Sequence, residues 1–259
     1  MKNGYEYHYL FGLDIPLEQY GLGRIKQLKI IDYLSKDVNI DGFYMPFVMN
    51  DILISQLDNK DVAHQLKEQM GSLTFLMTNC MNANKIEYIS MLIECLKVLY
   101  RTDKVELGNN ISIVIDNKIR VNDSNFDVLC NVVLESLKID KSKMKFDKQE
   151  DKKSDLITDE MLEAKRRFLE RNKGKKKDEG LSVADISNLI IHSGLFKYED
   201  VLNMTIYQLK NSYEVINRKE SFEINMLHRI SPKFDMSKEK YEHWSEKIKL
   251  DKSTLSQNG

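Results

Sequence analysis

Between Lys138 and Gly180 the chain carries fifteen Lys+Arg and eleven Asp+Glu with few large apolar residues. Such a stretch cannot bury enough apolar surface to offset the entropy of ordering it, so it reads as a solvated linker. It divides the 259 residues into an N-terminal α+β domain at 1–138, a charged linker at 139–180, a C-terminal helical domain at 181–250 and a tail at 251–259. Inside the linker, Thr158 to Arg171 has the spacing of an amphipathic helix, with Met161, Leu162, Phe168 and Leu169 on its apolar face. That face either packs on the chain's own core or docks in a partner's groove.

Before the linker the apolar spacing is helical, then alternating. Leu66, Met70, Leu73, Met77 and Cys80 recur three or four residues apart after Asp61, a candidate N-cap. Gly71 falls inside that run, as a kink or a point of close contact. A second helix from about Lys85 to Arg101 presents Ile86, Ile89, Ile93, Leu96 and Tyr100, and the short polar link makes the pair antiparallel. The period then drops from 3.6 to 2: Ile111, Ile113 and Ile115 alternate, Asp116-Asn117 supplies a turn, and Lys118 to Val121 follows. These form a small antiparallel meander of two or three strands, the third being Lys104 to Leu107. Asp123 or Ser124 then caps a helix carrying Phe126, Leu129, Val133 and Leu137. The first fifty residues are aromatic and irregular, with a short helix or helix-strand mixture at Arg24 to Leu34. Three prolines and eleven glycines are too few for a turn-rich all-β fold. The expected class is α+β, mostly helical: an N-terminal helical domain with a small β-meander, then a small C-terminal helical domain.

Beyond the linker the punctuation is clear. Ser182-x-x-Asp185 and Thr205-x-x-Gln208 have the form of capping boxes, and Gly194 is placed to stop the first of these helices. The second runs through Leu209, Tyr213 and Ile216 and continues, bent, past Phe222 and Met226 to Ile230, before Ser231-Pro232. A last helix, Ser237 to Leu250, carries Tyr241, Trp244 and Ile248.

Motifs for chemistry are sparse. Gly21-x-Gly23 lacks the third glycine of a dinucleotide loop, and Gly174-Lys175-Lys176 lacks the hydroxyl and upstream glycine of a phosphate loop. Asp37-x-Asn39-x-Asp41-Gly42 opens like a calcium loop, but its twelfth position is Val48 rather than a bidentate Glu, so a polar turn is the better reading. The histidines at 8, 64, 192, 228 and 243 show no metal-ligand spacing. Cys80, Cys95 and Cys130 sit in apolar stretches and read as buried, reduced thiols. No enzyme, cofactor or metal is expected. The most apolar helix is interrupted by Glu94 and Lys97, so no membrane span is expected, and Met1 to Leu13 lacks the apolar run of a signal peptide. A net charge of −1 counts against a nucleic-acid binder, although Lys173 to Lys177 gathers basic residues.

Ser182-Val183-Ala184-Asp185-Ile186, Tyr198-Glu199-Asp200-Val201-Leu202 and Met204-Thr205-Ile206-Tyr207-Gln208-Leu209, with the ending Tyr241-x-x-Trp244-Ser245, resemble a domain of tailed-bacteriophage tail-gene proteins of the tail assembly chaperone kind. Phe126-Asp127-x-Leu129 resembles it more weakly. The resemblance implies a non-enzymatic factor in the host cytoplasm that binds a hydrophobic helical client, the tape-measure protein, until tail-tube subunits polymerise around it. A homo-oligomer is left open. A structural tail or baseplate component retained in the virion is the alternative, and a two-domain nucleic-acid or protein binding module a second. Met70, Met77, Met81, Met91 and Met161 either line a flexible client groove or fill a core.

Overall fold

A computed structural model describes residues 4–36, 38–57, 59–82, 86–141, 144, 181–230 and 243–245. The fold is α+β and mostly helical. After α1 (Glu6–Phe11), the short strands β1 (Ile15–Pro16) and β2 (Arg24–Ile25) pair antiparallel around a 3-10 turn at Glu18–Tyr20. Gly21, at φ +70°, ends that turn, and the backbone of Gly23 closes onto Leu17. The two glycines are therefore hairpin residues. The expected helix-strand mixture resolves into β2 followed by α2 (Ile30–Ser35).

At the centre lies α3 (Met45–Gln56), with Phe47, Val48, Met49, Leu53 and Ile54 all buried. A helix enclosed on every side has no polar face and hence no amphipathic stripe, which is why periodicity did not reveal it. The long helix expected from Asp61 is two helices, α4 (Lys60–Met70) and α5 (Ser72–Asn82), and the cap is Asn59, whose side chain accepts from the Val62 N–H. α6 (Ile86–Tyr100) follows as expected, but of its expected inward stripe only Ile89 and Leu96 are buried: Ile86 is exposed, Ile93 and Tyr100 are half-buried, and Leu92, Cys95, Val98 and Leu99 complete the buried face.

The meander is β3 (Val105–Gly108), β4 (Ser112–Ile115) and β5 (Ile119–Val121), in that spatial order and antiparallel throughout. Ile113, Ile115 and Val121 are fully buried, whereas Ile111 stands in the turn and is exposed. α7 (Phe126–Ser136) begins at Asn125, not at Asp123 or Ser124. Asp123 turns away and caps a different helix: its carboxylate accepts from the N–H groups of Leu73 and Thr74, at 2.8 and 2.9 Å, and from the Thr74 hydroxyl at 2.6 Å.

The C-terminal helices are α8 (Val183–His192), α9 (Tyr198–Leu202) and α10 (Ile206–Ile230). Ser182 and Asp185 form the expected capping box, Gly194 follows α8 at φ +76°, and Thr205 and Gln208 cap each other. The last expected helix lies outside the described residues except for His243 to Ser245. Val183, Ile186, Ile190, Val201, Ile206 and Leu209 join the same buried cluster as the N-terminal core.

Candidate functional site

Two features of the C-terminal helices define the candidate site: how they are clamped to the N-terminal body, and what they leave open. The clamp begins in the backbone. The Ile30 N–H donates to the Met204 carbonyl at 2.9 Å, and Lys29 and Thr205 pair as an isolated antiparallel bridge. Asp41, from the calcium-like loop, accepts from the Val183 N–H at 3.0 Å and so helps to cap α8. In the same loop Asn39 accepts from the Gly42 N–H. Asn39 and Asp41 thus serve turn and cap geometry, and among the described residues no group of three or more His, Cys, Asp or Glu is placed to hold a metal ion.

Side chains complete the clamp around the first turns of α10. The rings of Tyr9 and Tyr207 lie 5.4 Å apart, and the Tyr9 hydroxyl donates to Glu135 at 2.9 Å. Burial, then the neighbouring Glu135 carboxylate, raises the Tyr9 phenol well above its ordinary range, so it stays a donor. Lys210 donates to the Leu137 carbonyl at 2.9 Å, and burial lowers its ammonium from the usual lysine value. Lys138 pairs with Glu214 at 2.7 Å, bonds Asn211 and lies over the Tyr207 ring. These part-exposed charges add little free energy and mainly fix the register of α10 on the end of α7. Gln208 donates to the Leu10 carbonyl at 3.0 Å while capping its own helix.

What stays open is a cleft of about 300 Å³ between the last turn of α8 and the middle of α10. Leu189, Ile190, Tyr213 and Ile216 form its apolar lining, and His192, Ser193, Asn217 and Glu220 its polar one. Along α10 the positions 206, 209, 213, 216, 220, 224 and 227 fall three or four apart, hence on one face. That row starts buried at Ile206 and Leu209 and ends with Ile224 52% and Leu227 62% exposed. On the other side of the helix, His243 packs edge-on against Phe222, with ring centroids 4.9 Å apart.

The residues singled out from sequence fare differently. Met161, Leu162, Phe168 and Leu169 lie outside the described residues. Met77 is in the core, while Met70, Met81 and Met91 reach the surface. His192 stands in the last turn of α8 beside the cleft, and His8 bonds the Asp14 carbonyl. All three cysteines are buried thiols outside any disulfide. Burial pushes the thiols of Cys95 and Cys130 up to about 12, so neither is a thiolate near neutral pH. Alkylation of the folded protein at pH 8 is expected to leave both unmodified, with labelling by mass spectrometry appearing only as urea unfolds the chain. Rapid native labelling of either would contradict their placement. Among the described residues no helix is long and apolar enough to cross a membrane.

Three capped helices are thus clamped to a larger body, and an apolar cleft between two of them runs out along an exposed helical row. The model of a domain family described as the YomV second domain matches residues 175–249. That family is phage-associated, and the match takes in all three helices together with the residues that carry the resemblance at 182–186, 198–202 and 204–209. No curated protein and no solved structure matches the chain.

Proposed function

We propose that the protein is a phage morphogenesis factor that acts by binding rather than catalysis, as a tail assembly chaperone for a hydrophobic helical client such as the tape-measure protein. The observation that carries this reading is the coincidence of the phage-associated family match with a module bearing an apolar cleft and an exposed apolar row. A chaperone for an amphipathic helix needs apolar surface that exchanges contacts without lasting commitment, and flexible methionine suits that task. The exposure of Met70, Met81 and Met91 supports such a surface on the N-terminal body. Met161, Leu162, Phe168 and Leu169, on the segment joining the two parts, supply the docking face. The client is held in the host cytoplasm during infection and released to the tail-tube subunits.

The test is capture of the client from infected-cell lysate by tagged wild type and by the double variant Phe168→Asp, Leu169→Asp. The proposal expects at least about a tenfold loss of recovered client, since burying two carboxylates in an apolar groove costs several kcal/mol. Equal recovery by both proteins would remove the docking face. Reversing linker charges should matter less.

A further inference from the structure

We propose that the junction between the C-terminal helices and the N-terminal body is a binding site for one structural water, held by the side-chain amide of Gln27. This does not rest on client binding. Gln27 lies between β2 and α2 and is only 7% exposed. Its Nε2 donates to two backbone carbonyls, that of His8 at 2.5 Å and that of Leu13 at 2.7 Å. Both amide protons are thereby used, and the opposite orientation of the amide would set its oxygen against those two carbonyl oxygens. The orientation is fixed, and it leaves Oε1 buried with no hydrogen-bond partner among the described residues. A buried carbonyl oxygen in that position forfeits its hydration, and folded chains leave few such atoms without a protein or water partner.

Gln27 also lines a cavity of about 10 Å³, room for a single water molecule. Three parts of the chain meet there: Gln27 and Tyr33 from the N-terminal body, Ser136 from the end of α7, and Thr205 and Ile206 from the turn into α10. A buried water makes about three hydrogen bonds, and the lining holds the groups for them. Ser136 Oγ donates to the Val133 carbonyl and keeps lone pairs to accept. Thr205 Oγ1 accepts from the Gln208 N–H and keeps a proton to donate. One water thus donates to Gln27 and Ser136 and accepts from Thr205, tying three elements at one point. An apolar occupant leaves Oε1 unmet, and a larger polar one exceeds the volume. Because Thr205 and Ile206 form part of the wall, the water leaves when the start of α10 lifts from the body, and its residence time reports the docking of the C-terminal helices.

A crystal structure of the full-length protein is expected to show one ordered water about 2.5–3.0 Å from Gln27 Oε1. The same water should persist in Lys26→Met, since the Lys26 ammonium belongs to Asp14. A protein donor on Oε1 instead, whether Lys26 drawn off Asp14 or the Tyr33 hydroxyl, would overturn the proposal. So would the lack of ordered density within that distance. Exchange supplies a second reading. Leu209→Ala loosens the packing of α10 on the body, so oxygen-17 relaxation should give a residence time at least about tenfold shorter than in wild type. A residence time unchanged by that substitution would place the long-lived water elsewhere and overturn its assignment to this junction.

Discussion

Gly71→Ala is expected to lower the unfolding free energy by roughly 2–4 kcal/mol, through two effects acting at one residue. Gly71 sits at φ +91°, a backbone conformation that costs an L-residue about 1–3 kcal/mol. A Cβ built there would stand 2.3 Å from the Asp123 carboxyl carbon, so the carboxylate would have to leave. Its departure uncaps α5, where Asp123 accepts from Leu73 and Thr74, at a cost of about 1 kcal/mol or more. Asp123→Ala alone should cost only the cap. The two substitutions together should cost less than their sum, because the lost cap is counted only once, although the Cβ that Asp123→Ala keeps still crowds the added methyl group. Urea unfolding of the four proteins checks this, and a Gly71→Ala protein within about 0.5 kcal/mol of wild type would contradict the account.

The second large effect lies where the C-terminal helices meet the N-terminal body. Leu209 is fully buried in the shared core cluster, on the stretch of α10 that packs against α1 and α7. Leu209→Ala should cost about 2–5 kcal/mol, the range for a leucine truncated in a core that collapses incompletely. Because the cluster is continuous from Tyr9 to Leu209, the loss should shift one cooperative urea transition to lower midpoint with its slope unchanged. Two separated transitions would show that the C-terminal helices unfold by themselves.

Features set by neighbours in sequence were legible without coordinates. Ser182 and Asp185, or Thr205 and Gln208, lie three residues apart, and the β4–β5 turn is equally local. Features set by distant residues were not. α3 carries no amphipathic signal because it is buried all round, and Asp123 looked like the cap of the helix that follows it when it caps one fifty residues earlier. The candidate site divides along the same line. The row of α10 is periodic and readable, yet only the fold shows that Ile206 and Leu209 are covered while Ile224 and Leu227 are not. The clamp was invisible for the same reason, since Asp41 meets Val183, and Lys210 meets Leu137, only through the tertiary structure.

Whether the protein is an assembly factor that handles a hydrophobic tail protein is decided by mass spectrometry of purified particles alongside a tagged pull-down from the lysate that produced them. An assembly factor is absent from finished particles, and a long tail protein is recovered with it from the lysate. Stoichiometric presence in the particles would contradict it and make the protein a structural component of the virion.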